Sequence, residues 1–303
     1  MKLSVSIITY NHQNYIEEAI ESALKQQTNF DYEIVVSDDC STDKTAEIVE
    51  KIAATTTKIT FIKRTQNVGM VRNALETISM CKGEYIALLE GDDFWIDTYK
   101  LQKQVDLLDQ YPEVVSCCTN GVSFVDRFYD KRQKFYDTKL KPPALFDLDY
   151  LVNSNVFIHS NTRVFRKSVH PTVFPNGLFE ASNWDWALSL IHAQKGSVAY
   201  IDDVTFAYRR HENALINFKN YKKTFKSGLV LLDGLNKYFD YKYDKVFSQK
   251  YWHFQELSFL YLKDRNVLLF LFYILKSLFN KPIRTKKEYK DIAWAIMDSI
   301  FKR

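Results

Sequence analysis

The sequence predicts an α/β protein with a doubly wound, mostly parallel sheet and a C-terminal helical extension. Near-continuous apolar runs alternate with amphipathic segments over the first 120 residues, as in parallel sheets covered by helices on both faces. From about residue 216 the pattern is helical throughout. The chain of 303 residues is also longer than one small core requires.

The predicted strands and helices alternate regularly along the first 120 residues. Apolar, β-rich runs predict strands at 3–9, 32–37, 58–63, 83–90 and 113–119. Apolar residues at helical spacing predict helices at 14–27, 41–53, 71–78 and 101–108. Asn14 stands three residues before Glu17, so a capping box is expected at the start of the first helix.

Two acidic clusters, Asp38–Asp39 and Glu90–Asp93, fall at the carboxyl ends of predicted strands. Ligands bind beyond these ends in doubly wound sheets, so both clusters should face one crevice. Residues two apart on a strand share a side, so Glu90 and Asp92 should converge. Converging carboxylates favour a hard cation such as Mg²⁺ or Mn²⁺. The alternatives are an exposed acidic turn or an N-cap for the helix after residue 97.

Charge divides the chain into two regions. Residues 1–215 contain 23 Lys/Arg and 29 Asp/Glu, whereas residues 216–303 contain 18 and 8, together with 20 of the 46 aromatic residues. Such asymmetry predicts different partners for the two regions. Residues 126–145 are basic and precede Pro142–Pro143. They are interpreted either as a loop over the crevice or as a solvated excursion.

The N-terminal sequence shows no pattern typical of a secretory signal. The chain has four cysteines, and none of them has metal-ligand spacing. Buried reduced thiols are therefore expected, which favours a cytoplasmic location.

Four segments occur in an order and at separations that carry a specific resemblance. They are SVSIITYN (4–11), EIVVSDDCSTDKT (33–45), NVGMVRN (67–73) and KGEYIALLEGDDFWIDTYKL (82–101). Together they resemble family 2 glycosyltransferases over roughly residues 3–215. The resemblance implies a GT-A domain over 1–215, with a nucleotide-sugar half at about 1–120 and an acceptor half at about 120–215. It also implies a nucleotide diphosphosugar donor, usually a UDP-sugar, a divalent ion, and transfer with inversion.

The resemblance assigns roles on the donor side of the crevice. Glu90–Asp92 occupies the family's D-x-D position, with Asp92 as metal ligand and Glu90 facing the ribose, and Asp93 supports the site or caps a helix. Glu90 is one methylene longer than the usual Asp. Asp39 would hydrogen-bond the nucleobase. The other implied nucleotide contacts are Thr9, Tyr10, Asn11 and Arg72, and Arg72 could equally lie on a solvated helix face.

Two later segments resemble the acceptor side and the end of the donor site. In SNWDWALSL (182–190), Asp185 matches the family's catalytic acid, which would deprotonate the acceptor hydroxyl between Trp184 and Trp186. The alternative is that Asp185 only caps a helix. In FAYRRHENAL (206–215), His211 would complete the metal or diphosphate site, unless it is structural. SNTRVFRKS (160–168) resembles the stretch that frames the acceptor site.

The sequence-based conclusion is an inverting, metal-dependent hexosyl- or N-acetylhexosaminyltransferase acting in surface polysaccharide or lipid-linked glycan synthesis. One alternative is a nucleotidyltransferase, which would need a glycine-rich loop that TYNHQNY lacks. The other is a non-catalytic sugar-nucleotide-binding or scaffold subunit. No nucleic acid partner is expected, because the basic residues form no open groove pattern.

The extension at 216–303 is predicted to bind an anionic membrane surface. Residues 267–275 are nine apolar residues, far short of the roughly 20 that span a bilayer. Residues 276–290 then contain six Lys/Arg and one acid. A basic flank beside an apolar segment is typical of an interfacial helix. A buried core helix or an oligomer interface is the alternative.

Overall fold

The computed structural model describes residues 1–125, 128–134, 144–153, 158–211, 221–244, 247 and 267–280. These residues form two compact units. The first comprises 1–172 and 184–214, and the second comprises 173–183 and 215–303. Residues 173–183 thus belong to the second unit although they precede residue 215. The domain boundary at residue 215 stays a prediction.

The first unit is built on a mixed sheet with ten strands among the described residues, in the order β3-β2-β1-β4-β9-β6-β10-β5, with β7 beside β6 and β8 beside β10. The strands are β1 (Leu3–Thr9), β2 (Tyr32–Asp38), β3 (Ile59–Lys63), β4 (Tyr85–Glu90), β5 (Phe94–Trp95), β6 (Val114–Val125), β7 (Phe128–Lys134), β8 (Ala144–Phe146), β9 (Val164–Arg166) and β10 (Ser197–Arg210). The pairs β1/β2, β1/β4, β2/β3 and β6/β10 are parallel. The predicted α/β class with a mostly parallel sheet is confirmed.

Amphipathic helices cover this sheet and bury their apolar sides in its core. They are α1 (Ile16–Leu24), α2 (Thr45–Ala53), α3 (Met70–Met80), α4 (Lys100–Gln110), α5 (Leu148–Asn153) and α6 (Trp184–Ala193). The core contains fully buried residues of β1, β2 and β4 together with Ile16, Ile20 and Leu101. Burial of each such aliphatic side chain contributes about 1.5–3 kcal/mol. All four cysteines are free thiols, and three of them are buried.

The second unit contains the helical extension, with α7 (Tyr221–Tyr238) and α8 (Val267–Asn280). Leu231, Leu232 and Leu235 of α7 are buried. Gly234 of α7 allows close approach to residue 176, because an added Cβ would lie 2.0 Å from the Asn176 carbonyl oxygen. Among the described residues, no helix is both long enough and apolar enough to cross a membrane.

Two local predictions are wrong. The capping box at Asn14 does not form. The helix starts two residues later, at Ile16, because the His12 carbonyl accepts the N–H groups of Tyr15 and Ile16 at 2.9 Å each. The predicted loop at 126–145 contains β7 and β8, which pair with β6 and β10. Residues 126–127 and 135–143, the rest of that segment, lie outside the described residues.

Candidate active site at the strand ends

The carboxyl ends of β1, β2 and β4 lie side by side. Thr9 at the end of β1 is in register with Asp38 on β2, and Ile8 is in register with Glu90 on β4. The Gly91 N–H donates to the Ile8 carbonyl (2.9 Å), and the Asp39 N–H donates to the Thr9 carbonyl (2.9 Å). Both acidic clusters therefore meet at one edge of the sheet, as the sequence predicted.

The loops after β1 and β2 are joined by side-chain hydrogen bonds. Ser41 Oγ accepts from the Asn11 N–H, and Asn11 Oδ1 accepts from the Thr42 N–H, each at 2.8 Å. The Asp38 carboxylate holds Ser41 through its N–H (2.9 Å) and its hydroxyl. Asn11 and Cys40 have φ of 56° and 63°, a left-handed conformation that is costly for a residue with a side chain. The network stabilises this strained backbone beside the predicted nucleotide site.

Asp39 holds the loop that precedes α3. Its Oδ1 and Oδ2 accept from the Val68 and Gly69 N–H groups at 2.8 and 2.9 Å, and the residue is buried. Each oxygen keeps a second lone pair for a ligand. Tyr10 is exposed, and the buried Thr9 Oγ1 has no hydrogen-bond partner among the described residues. The nucleotide contacts assigned to these residues stay predictions.

Glu90, Asp92 and Asp93 form a compact acidic triad. One carboxylate oxygen from each residue lies within 4.8 Å of the others. Asp93 is 1% exposed, with Oδ1 accepting from the Arg209 N–H (2.7 Å) and Oδ2 from Asn161. The triad is therefore not an exposed turn, and Asp93 does not cap the following helix. Asp97 instead accepts the Tyr99 N–H (2.8 Å) near the start of α4.

Two imidazoles contact Asp92. Its Oδ2 lies 3.1 Å from His211 Nε2 and 3.7 Å from His12 Nε2. His211 also packs 4.8 Å from the Tyr15 ring. The buried Oδ1 of Asp92 has no hydrogen-bond partner among the residues described. The structure thus brings His211 to the triad, and it adds His12, which the sequence analysis did not select.

The three carboxylates differ in proton affinity. Burial and the charge of Asp92 raise the pKa of Glu90 to about 8. Burial raises the pKa of Asp93 well above its usual value. Burial also acts to raise the pKa of Asp92, but the His211 hydrogen bond and the charge of His12 outweigh it and lower the value. Asp92 is therefore the carboxylate of the triad that carries charge at neutral pH.

The triad suits a hard divalent cation. It offers clustered carboxylate oxygens, one of them a buried oxygen without a partner, beside imidazoles that can also act as ligands. Burial lowers the pKa of His12, which favours the neutral form of the ring that can donate an electron pair. Asp92 and His211 are the best-placed ligands, with Glu90 next to them.

Asp185 lies in the first turn of α6 and is 5% exposed. Its Oδ1 accepts from the Trp186 N–H (2.9 Å), and its Oδ2 accepts from the Ser160 N–H (3.3 Å). Burial raises the pKa of Asp185 to about 6. Such a carboxyl group is ionised near neutral pH but accepts a proton more readily than an exposed aspartate.

One predicted residue, Trp184, lies differently from expectation. Trp184 is 3% exposed and lines a small internal space with Glu90 and Ser160, so its indole cannot serve as an open platform for a sugar ring. Trp186 is only partly buried and keeps that predicted role. Arg72 is exposed on α3, 3.9 Å from Glu76, and its donor contact stays a prediction.

Besides His12, three residues of the site were not singled out from the sequence. Ser160 and Asn161 contact the acidic segment, and both lie in the SNTRVFRKS stretch. Arg209 lies in FAYRRHENAL, where its Nε donates to the Asp92 carbonyl (3.1 Å) and its guanidinium stacks 4.8 Å from the Tyr15 ring. Their positions within these two motifs could have suggested that they belong to the site, but not which residues they contact.

The chain is similar to curated proteins of bacteria. It is 33% identical over 217 residues to an uncharacterized protein of Mycobacterium tuberculosis, and the match covers 70% of this chain and 60% of that protein. It is also 33% identical over 230 residues to TuaG of Bacillus subtilis, whose name assigns it to teichuronic acid biosynthesis as a glycosyltransferase. That match covers 75% of this chain and 86% of TuaG.

A solved structure shares the fold, and a family model matches the sequence. The crystal structure of Staphylococcus aureus TarS residues 1–349 in complex with UDP-GlcNAc matches with a TM-score of 0.57 and 16% identity, covering 94% of this chain and 93% of that one. This likeness supports a GT-A fold with a helical extension. The model named "Glycosyl transferase family 2" matches residues 4–174. The chain belongs to glycosyltransferase family 2.

Proposed function

We propose that this protein is an inverting, metal-dependent glycosyltransferase that moves a sugar from a UDP donor to a hydroxyl group of a glycan acceptor. The main support for the proposal is the acidic triad at the end of β4. In this triad the buried Oδ1 of Asp92 has no hydrogen-bond partner among the described residues. Family membership and the UDP-GlcNAc bound in the TarS structure support the reaction class and the donor. TuaG supports an acceptor in surface polysaccharide synthesis.

The donor half of the reaction depends on residues at the ends of β1, β2 and β4. Thr9, Tyr10, Asn11 and Asp39 would bind the nucleoside, with Glu90 at the ribose. Asp92 and His211 would hold Mn²⁺ or Mg²⁺. A divalent cation at this site would supply positive charge that stabilises the departing diphosphate.

The acceptor half depends on Asp185. In a single displacement, the acceptor oxygen forms a bond to the anomeric carbon while the bond from that carbon to the diphosphate oxygen breaks. The hydroxyl proton passes to Asp185, and UDP leaves as the anion. Direct displacement inverts the anomeric configuration. Trp186 would contact the acceptor sugar, and the transferred sugar would be a hexosyl or N-acetylhexosaminyl unit.

We also propose that the second unit binds an anionic membrane surface on the cytoplasmic side. Leu268, Leu271, Phe272 and Leu275 of α8 are exposed at helical spacing and form one apolar stripe. Lys222, Lys223 and Lys226 line an open groove of about 590 Å³ in the same unit. A lipid-linked acceptor would be available at such a surface.

The test is a binding and hydrolysis screen of UDP- and GDP-sugars with Mn²⁺ or Mg²⁺. Asp92→Asn should keep the fold but abolish metal-dependent UDP binding, because it removes the charged ligand at nearly constant shape. Asp106→Asn is the matched control, since Asp106 is exposed and its carboxylate accepts a hydrogen bond from Gln102 on the same helix. Tight UDP and Mn²⁺ binding by Asp92→Asn would refute the metal assignment.

A further inference from the structure

The short 3-10 turn Ser160–Thr162 lies between the acidic triad and Asp185. Its three residues are at most 1% exposed. Polar side chains buried this completely are costly unless they are hydrogen-bonded, so their partners indicate what the turn does.

Asn161 contacts both ends of the acidic segment. Its Oδ1 accepts from the Glu90 N–H at 2.7 Å, and its Nδ2 donates to Asp93 Oδ2. The Asn161 carbonyl accepts from Trp95 Nε1 at 3.1 Å. One residue therefore sets the conformation of the chain from Glu90 to Asp93, on which the position of Asp92 depends.

Ser160 contacts two carboxylates with its two donors. Its hydroxyl donates to Glu90 Oε1 at 2.7 Å, and its N–H donates to Asp185 Oδ2 at 3.3 Å. Asp185 is ionised near neutral pH, so the bond from the Ser160 N–H is the charge-assisted one of the two. Ser160 therefore links the proposed donor-side and acceptor-side acids directly.

The turn is itself firmly held. The Thr162 carbonyl accepts from Gln104 Nε2 at 2.9 Å, and Gln104 Oε1 accepts from the fully buried Lys100 at 2.6 Å. Arg163, the next residue, donates to the Asp185 carbonyl at 3.2 Å. The turn can therefore fix the positions of the Glu90 and Asp185 carboxylates.

We propose that Ser160 and Asn161 are positioning residues that align the acidic triad with Asp185. This inference rests on the proposed function, because it takes the triad as the cation–diphosphate site. Neither residue needs to touch the substrate. Their role is to fix Glu90, Asp93 and Asp185 relative to one another before the ligands bind.

The experiment measures Mn²⁺-dependent UDP binding by calorimetry, together with the melting temperature, in Ser160→Ala and Asn161→Ala. Ser160→Ala removes the hydroxyl bond to Glu90 and keeps the N–H bond to Asp185. Loss of this buried hydrogen bond should weaken binding about three- to tenfold, and Asn161→Ala should weaken it further. Ser189→Ala is the control, because the buried Ser189 hydroxyl donates to the Asp185 backbone carbonyl and its loss should not affect binding.

The outcomes separate the inference from the function. If both variants fold and bind Mn²⁺–UDP as tightly as the parent, the positioning role is wrong while the proposed function stands. If the parent itself fails to bind UDP with either cation, the proposed function is wrong and the inference with it. A lower melting temperature with unchanged binding of the folded fraction would reduce both residues to a structural role. Weaker binding in Ser160→Ala but not in Ser189→Ala supports the proposal.

Discussion

At the scale of single residues, similar carboxylates have different chemistry because their neighbours differ. Asp39 is held by two backbone N–H groups. Asp92 lies against two imidazoles, which lower its pKa, whereas burial raises the pKa of Asp185 to about 6. The low-pKa group is suited to bind a cation and the raised one to accept a proton.

Asp185→Asn should leave UDP binding nearly intact and reduce transfer by about two to four orders of magnitude, as expected for loss of a general base. The carboxylate form exists above the pKa of about 6 and is lost below it. Parent activity should therefore fall as the pH decreases through about 6, and the residual activity of the variant should lack this limb. Transfer is measured with the donor found in the screen.

Stability provides a separate check on Asp185. The pKa of Asp185 is higher in the folded state than its ordinary value of 3.8. The free energy of unfolding therefore decreases as the pH rises from 3.8 to about 6. Asp185→Asn removes this loss, so its melting temperature at pH 7.5 should not be below that of the parent. Asp203→Asn, on an exposed carboxylate paired with Lys103, is the control. Near-normal transfer by Asp185→Asn would leave Asp185 only a structural role.

At the scale of elements, strand β4 lies between two glycines that allow close approach. A Cβ on Gly83, before the strand, would lie 2.4 Å from Ser4 N. A Cβ on Gly91, after it, would lie 2.8 Å from both Cβ and Oγ1 of Thr9. Both ends of β4 thus pack tightly on β1, but only the Gly91 end carries the acidic triad.

Gly83→Ala and Gly91→Ala should both lower the melting temperature, because each added methyl group overlaps β1. Only Gly91→Ala should also weaken Mn²⁺-dependent UDP binding, by displacing Asp92 from the strand end. The two melting curves and binding isotherms check this pair. Equal binding by the two folded variants would show that the triad does not depend on the packing of Gly91 against Thr9.

The elements also show what sequence reasoning could reach. Apart from the short strand β5, the order of strands and helices up to β6 follows from local periodicity, the triad follows from its place at a strand end, and His211 follows from its motif. The other partners of the triad do not, because Asn161 and Arg209 lie about 70 and 120 residues along the chain from the triad. Burial of Trp184 and pairing of β7 with β6 likewise depend on tertiary packing that a local pattern does not contain.

At the scale of the whole molecule, the two units differ in charge and in exposed surface. The part of the chain up to residue 215 is acidic, and the remainder is basic and aromatic. On α8, Leu268 is 81% exposed and Phe272 is 48% exposed, whereas Ile274 is 5% exposed. Large apolar side chains exposed in one stripe commonly mark a binding surface.

We expect the full-length protein to bind anionic vesicles and to dissociate at high salt. Each Lys or Arg near an anionic surface contributes about 1 kcal/mol, and the six in residues 276–290 follow the apolar stripe directly. Co-sedimentation with phosphatidylcholine vesicles, with and without phosphatidylglycerol, at low and high salt, checks this. Leu271→Glu/Leu275→Glu should abolish binding because it places acids on the apolar stripe, whereas Met80→Glu, on an exposed apolar residue of α3 in the first unit, should change it little. Failure of the parent to bind anionic vesicles at low salt would instead assign the stripe to a protein contact.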